Sequence, residues 1–270
     1  TTLQKKITTF MLKQYFIFLS KKLGIFMQKK IALFIFTLFL FSFLIFSKEE
    51  INQQELFKNS EPIQEFMKKH PRGSLKVVTG AMCSGKSGYL IEQEKRWKRA
   101  KKRVATFKPI IDNRKLFLKK DIDPTQVLSS RTETSTRCFS VSSVQDLKNK
   151  IKQENPTHII IDEVHFFTPE KEQFINFVLD LVKQGKQVIV SGLDLSFRNE
   201  SFGPMPELLS HADSVKKLTA NCAVCHEDTF CISQRLVNGK PARYDDPLIV
   251  VGAEELYEPR CRNCHECPKE

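Results

Sequence analysis

From Leu75 onward the chain alternates short apolar runs with amphipathic stretches. "LKVVT" (Leu75 to Thr79) carries a single charge and reads as a first strand buried on both faces. A helix is expected from about Ser87 to Ala100, with Leu90, Ile91 and Trp97 turned inward and "EKRWKRAKKR" mainly solvated. "VATF" (Val104 to Phe107) predicts a second strand, stopped by Pro109, and "HIIID" (His158 to Asp162) a third, apolar until its last residue. Thr168 can cap the next helix with Pro169 in its first turn, and Phe174, Phe177, Val178, Leu181 and Val182 form its apolar face before Gly185 ends it. "QVIVSG" (Gln187 to Gly192) is a fourth strand. Strands alternating with helices predict an α/β fold built on a largely parallel sheet, and no internal repeat interrupts the pattern.

Before Leu75 the pattern changes. Residues 1 to 70 hold 12 of the 22 phenylalanines, and "IALFIFTLFLFSFLIF" (Ile31 to Phe46) is 16 residues without a charge, set between Lys29-Lys30 and "SKEE". That run resembles a signal-peptide core or a short membrane anchor, below the ~20 residues that span a bilayer comfortably, and no clear small-residue cleavage site follows. Since the chain starts with Thr1, a third reading is upstream translation outside the working protein. Membrane contact is expected only if this segment is retained. A chain begun at Met67 is expected to be complete for function, because residues 1 to 66 hold no motif that completes a site.

Charge narrows the choice of partner. Of the net +12, residues 1 to 70 hold 11 Lys/Arg against 5 Asp/Glu, leaving 32 against 26 for residues 71 to 270. So mild an excess reads as a solvated lysine-rich surface, not a nucleic-acid groove.

Three constellations carry chemistry. "GAMCSGKS" (Gly80 to Ser87) follows the first strand and opens the first helix, the context of a loop whose backbone N–H groups cradle a polyphosphate. Gly80 and Gly85 allow the tight path, Lys86 brings a point charge to the phosphates, and the Ser87 hydroxyl can ligate Mg²⁺. Asp162 and Glu163 stand side by side where "IIID" ends, at the edge where a parallel sheet binds ligands. One carboxylate can hold Mg²⁺ while the other acts as a base. Four of the eight cysteines form two C-x-x-C pairs, Cys222/Cys225 and Cys261/Cys264, a tetrathiolate pattern for structural Zn²⁺. Cys264/Cys267 is the rival pairing, with Cys231, His226 and His265 as spare donors. The 35 residues between Cys225 and Cys261 exceed what a compact ribbon requires.

These motifs together resemble the thymidine kinases of the small, zinc-containing type found in bacteria and animal cytosol. "GAMCSGKS" resembles that family's phosphate loop, "KPIIDNR" (Lys108 to Arg114) its segment after the second strand, and "IIIDEVHFF" its acid-pair strand. "SGLDLSFRNESFGP" (Ser191 to Pro204) resembles the stretch that closes over the nucleoside, and "VVGAEELYEPRCRNC" the lasso with its zinc anchor. The resemblance implies that Glu163 takes the proton from the nucleoside 5′-hydroxyl. It places the nucleotide and its magnesium at Gly80, Ala81, Met82, Cys83, Ser84, Gly85, Lys86, Ser87, Asp162 and His165. It places base and sugar against Phe166, Leu193, Phe197, Phe202, Val250 and Tyr257. The family commonly has Pro, Phe and Thr where this chain has Ala81, Cys83 and Gly88, and Gln where His165 stands; the Gly, Lys and Ser that contact phosphate are intact.

The expected organisation is a hydrophobic N-terminal extension over residues 1 to 70, a P-loop kinase core over 71 to 220, and a zinc ribbon with lasso over 221 to 270. The expected reaction passes the ATP γ-phosphate to thymidine or deoxyuridine, in the cytoplasm and, by the resemblance, as a homotetramer inhibited by the thymidine triphosphate. The alternatives are a P-loop zinc-ribbon ATPase acting on nucleic acid, against which the acids of "VCHEDTFC" count, and an inactive membrane-anchored relative, against which Lys86, Asp162 and Glu163 count.

Overall fold

A computed structural model describes residues 72–112, 126–130, 134–250 and 256–269, together with Glu65. The chain divides into two units, Thr1–Lys69 and His70–Glu270, and apart from Glu65 every described residue belongs to the second. The apolar run at 31–46 and Met67 lie outside the described residues, as do Asn113 and Arg114. Among the described residues no helix is long and apolar enough to cross a membrane.

The expected strands form β1 (Ser74–Thr79), β2 (Val104–Pro109), β6 (His158–Ile161) and β7 (Gln187–Gly192). With the short β5 (Phe139–Val141) and β8 (Ser214–Lys217) they make a six-stranded, wholly parallel sheet in the order β5-β2-β6-β7-β1-β8. Alternation along each inner strand feeds two layers. Leu75, Val77, Ile159, Ile161, Val188 and Val190 face one side, where they pack with α2 (Val144–Glu154), α3 (Lys171–Lys183) and α4 (Met205–His211). Val78, Ile160 and Ile189 face the other, beneath Leu90 and Ile91 of α1 (Lys86–Arg99) and Leu128 of the hairpin β3 (Val127–Ser129) to β4 (Ser135–Arg137). Burial on both faces is why these strands read as near-continuous apolar runs.

The helices depart from expectation at three points. Thr168 does not cap α3: residues Val164–Glu170 form a 3-10 helix, the Thr168 hydroxyl donates back to the His165 carbonyl at 2.6 Å, and Glu170 takes the cap position. Glu94, in the stretch expected to be solvated, is 3% exposed and pairs with Lys98 at 2.6 Å. Helix α2 was not expected; Val144, Leu147 and Ile151 face the core, and the Ser143 hydroxyl caps it by accepting from Asp146 N.

After β8 the chain turns antiparallel. β9 (Ala220–Asn221) pairs with β10 (Asp228–Thr229), and β11 (Cys231–Val237) lies between β12 (Lys240–Pro241) and β13 (Tyr257–Cys261). Ala81 of the phosphate loop is buried with Ala220, Cys222, Cys231 and Cys261, so the ribbon packs directly against that loop.

Phe174 anchors the helical layer: it is fully buried and stacks on Phe167, ring centroids 4.4 Å apart. Phe174→Ala is expected to lower unfolding stability by about 3 to 5 kcal/mol. Urea denaturation checks this, and a loss below about 1 kcal/mol would show that the layer repacks freely.

Candidate active site

The phosphate loop leaves β1 at Gly80, whose φ of 144° only glycine adopts readily; a Cβ there would lie 2.6 Å from the Leu218 carbonyl oxygen. Cys83 and Gly85 also take positive φ, and Gly85 stands at the α1 N-cap with no side chain capping the helix. No acid sits in the first turn of α1, so the positive end of the helix stays available to an anion. Lys86 is buried and donates to the carbonyls of Gly80 and Ala81 at 2.9 and 2.8 Å. Ser87 Oγ donates to Asp162 Oδ2 at 3.0 Å. A cavity lined by residues 82–88, Glu92, Lys95, Ser129, Ser130, Thr134 and Glu163 opens over this loop.

Asp162 follows the last residue of β6, and β7 separates β6 from β1, a span of about 10 Å at the usual strand spacing. Ser87, projecting from the start of α1, bridges it. Asp162 is fully buried and also accepts from the Glu163 backbone N–H at 2.9 Å. Burial first, and then the Glu163 charge, push its carboxyl up to about 6, while Lys86 pulls the other way. A hydroxyl beside a buried carboxylate is an oxygen pair suited to a hard cation such as Mg²⁺.

Glu163 takes a left-handed conformation, φ 51°, unusual for a non-glycine residue. This breaks strand alternation, so two consecutive carboxylates serve one region: Asp162 lies against Ser87, while Glu163 borders the loop cavity and also a second cavity beyond it. Met82 is the other residue lining both.

The second cavity gathers all six residues expected for base and sugar: Phe166, Leu193, Phe197, Phe202, Val250 and Tyr257. His165 lines this cavity and not the one over the phosphate loop. Its Nδ1 accepts from Leu193 N–H at 3.2 Å, which puts the ring proton on Nε2; the 3.4 Å approach of Glu163 Oε2 to Nδ1 is therefore a contact and not an ion pair. Asp112, Ser233, Leu248 and Ile249 also line the cavity and were not singled out from sequence. Asp112 lies within "KPIIDNR" and pairs with buried Lys108 at 3.5 Å, so its motif was a usable signal. Ser233 had none: it comes from β11, and its hydroxyl accepts from Met82 N–H at 2.9 Å. Tyr257 donates to the Val250 carbonyl at 2.9 Å, a bond within the lasso segment.

The sulfurs of Cys222, Cys225, Cys261 and Cys264 all lie within 4.8 Å of one another, with Cys225 and Cys261 at 3.8 Å. A tetrahedral Zn²⁺ with bonds of about 2.3 Å needs sulfur separations near 3.8 Å, so this donor set fits zinc. Burial raises the Cys222 thiol, but N–H donors of the knuckles, Cys261 N among them at 3.3 Å, outweigh it and bring Cys222 down to about 6, favouring the thiolate a metal needs. The spare donors stand elsewhere. Cys231 donates to the Ala220 carbonyl, and His265 reaches the Phe197 carbonyl. Neither they nor Cys267 and His226 join a metal-binding group among the described residues.

The raised Asp162 carboxyl has a stability consequence. The folded protein holds this proton more tightly than the unfolded chain, so ionisation works against the fold, slightly near pH 4 and fully above about pH 6. Asp162→Asn, free of magnesium and nucleotide, is expected to raise Tm more at pH 7.5 than at pH 4.5. Thermal melts at the two pH values check this; a lower Tm at both would contradict it.

The X-ray structure of the Legionella pneumophila ATPase DotB matches at 15% identity and a TM-score of 0.31, over 58% of this chain and 38% of that one, so the present chain spans well under half of that protein. The family model described as Thymidine kinase matches residues 73–265, from the start of the sheet to the second cysteine knuckle. With the phosphate loop, the acid pair, the second cavity and the four-cysteine cluster all inside that span, the chain belongs to the thymidine kinase family.

Proposed function

We propose that this protein is an ATP-dependent deoxynucleoside kinase that transfers the γ-phosphoryl group of ATP to the 5′-hydroxyl of thymidine, and of deoxyuridine, in pyrimidine salvage. One observation supports this above the others: Glu163 borders both the cavity over the phosphate loop and the cavity lined by Phe166, Phe197 and Phe202. A base between donor and acceptor is what phosphoryl transfer to an alcohol requires.

The nucleotide phosphates lie over residues 80–87, facing the N–H groups at the start of α1. Lys86, resting on the loop carbonyls, turns its ammonium toward them. Ser87 and Asp162 would hold Mg²⁺, which would neutralise charge on the phosphates. The nucleoside lies between the aromatic wall and the lasso segment. Ionised Glu163 accepts the 5′-hydroxyl proton as that oxygen bonds to the γ-phosphorus and the bond to the β-phosphate oxygen breaks, releasing ADP. Zinc at the four cysteines would be structural, pinning the ribbon at both ends of the lasso. The kinase core over 71–220, the ribbon over 221–270, a cytoplasmic homotetramer and the absence of a nucleic-acid partner belong to the same reading and rest on family membership.

Purified protein with Mg-ATP and a panel of deoxynucleosides tests the reading. Thymidine and deoxyuridine are expected to be phosphorylated in preference to purine deoxynucleosides. A purine preference, or ATP hydrolysis stimulated by nucleic acid with no nucleoside turnover, would overturn it. Glu163→Gln is expected to lower kcat by about 10² to 10⁴ with a much smaller change in thymidine affinity. Near wild-type turnover would move the base elsewhere.

Cys264→Ala is expected to lose zinc, lower stability and raise the thymidine KM, whereas Cys267→Ala keeps one zinc per chain. Metal analysis of the two proteins decides it, and the reverse pattern would replace Cys264 by Cys267 in the ligand set.

A further inference from the structure

His265 follows the last cysteine of the cluster, yet its ring is turned away from the four sulfurs. Its backbone N–H donates to the Cys261 carbonyl at 2.9 Å, which places it within the second knuckle. Its Nε2 lies 2.9 Å from the carbonyl oxygen of Phe197, 68 positions earlier in the chain. A carbonyl only accepts, so Nε2 carries the proton and donates. The next residue is equally fixed: Glu266 N donates to Gln234 Oε1 and the Glu266 carbonyl accepts from Gln234 Nε2, both at 2.8 Å, and Gln234 is fully buried. The imidazole is therefore held from both sides before any substrate arrives.

What it holds is a wall of the second cavity. Phe197 is 3% exposed, lines that cavity and sits in a tight turn closed by bonds from Ser196 N to the Glu200 carbonyl and from Asn199 N to the Ser196 carbonyl. The Phe197 carbonyl points out of this turn toward the knuckle. The opposite flank is tied by Arg198 to the Asp246 carbonyl and by the Tyr244 hydroxyl to Glu200, which are contacts to the lasso segment and not to the cysteine cluster.

We propose that His265 is a positioning residue for the nucleoside: it anchors Phe197 to the cysteine knuckle, so that an ordered metal site sets the position of the aromatic wall. This rests on the second cavity being the nucleoside site. The role is one of binding. Phe197 contacts the nucleoside alike in the ground and transition states, so the bond contributes to KM and not to the chemical step, which Glu163 and Lys86 carry. The effect is about three- to tenfold, the size a neutral hydrogen bond supplies.

The test uses the zinc-loaded full chain with His265→Leu, which keeps the bulk and loses the donor, and His265→Gln, whose amide keeps a donor near the Nε2 position. Zinc content by metal analysis is expected to stay at one per chain in both. Without nucleoside, amide exchange across residues 193–203 is expected to quicken in His265→Leu and return toward wild type in His265→Gln. The thymidine KM is expected to rise about three- to tenfold in the Leu protein and recover in the Gln protein, with kcat within about twofold and the ATP KM unchanged throughout. Zinc loss in His265→Leu would make His265 a metal ligand and overturn the proposal. So would wild-type exchange and KM in that variant, or a fall in kcat at constant KM. If wild-type protein phosphorylates no nucleoside, the proposed function fails by itself; the exchange measurement still decides whether His265 holds the wall.

Discussion

A carboxylate with no exposed surface organises this site. Asp162 accepts from the Ser87 hydroxyl at the start of α1 and from the backbone of Glu163 beyond β6. It thereby ties the phosphate loop to the acid pair across the strand that lies between them. Desolvation at this point opposes ionisation and holds the carboxyl up to about 6. Such a group is costly to bury and is retained where a site needs a charge that folding alone does not. The left-handed turn at Glu163 belongs to the same arrangement, since the Asp162 side chain bonds the N–H of that strained residue and so supports the conformation that brings both carboxylates to one region.

The ribbon extends the arrangement outward. Ala81 packs among the residues around the cysteines, Met82 N–H donates to Ser233 of β11, and His265 reaches back to Phe197. Loop, cavity wall and cysteine cluster are therefore one connected piece. A closed thiolate site is thereby linked through hydrogen bonds to backbone that lines the second cavity.

What was legible in the sequence follows from what kind of physics each element obeys. The inner strands β1, β2, β6 and β7 are buried on both faces, so they read as apolar runs, and the loop and the two C-x-x-C pairs are local patterns whose spacing carries their chemistry. Helix α2 was missed because its charged positions outnumber Val144, Leu147 and Ile151, although Ser143 was a usable cap. The edge strand β8 has all four residues exposed and no apolar period to find. Thr168 misled because a cap and a 3-10 turn share the same residue preferences, and the turn starting at Val164 took it first. In the site, Ser233 was illegible for another reason: it reaches the cavity through strand pairing and a bond to Met82, neither of which leaves a mark in local sequence. His265 was visible as a donor, but only the fold distinguishes a zinc ligand from a bond to a distant carbonyl.

Glu163 is proposed to stand between two ligands, a phosphate donor and a nucleoside. The most direct test is a crystal structure with thymidine and a non-hydrolysable ATP analogue bound together. The phosphates are expected over residues 80–87, thymidine against Phe166, Phe197 and Phe202, and a Glu163 carboxylate oxygen within about 2.6 to 3.2 Å of the 5′-hydroxyl. A 5′-hydroxyl bonded to another group, with Glu163 turned away from both ligands, would contradict it.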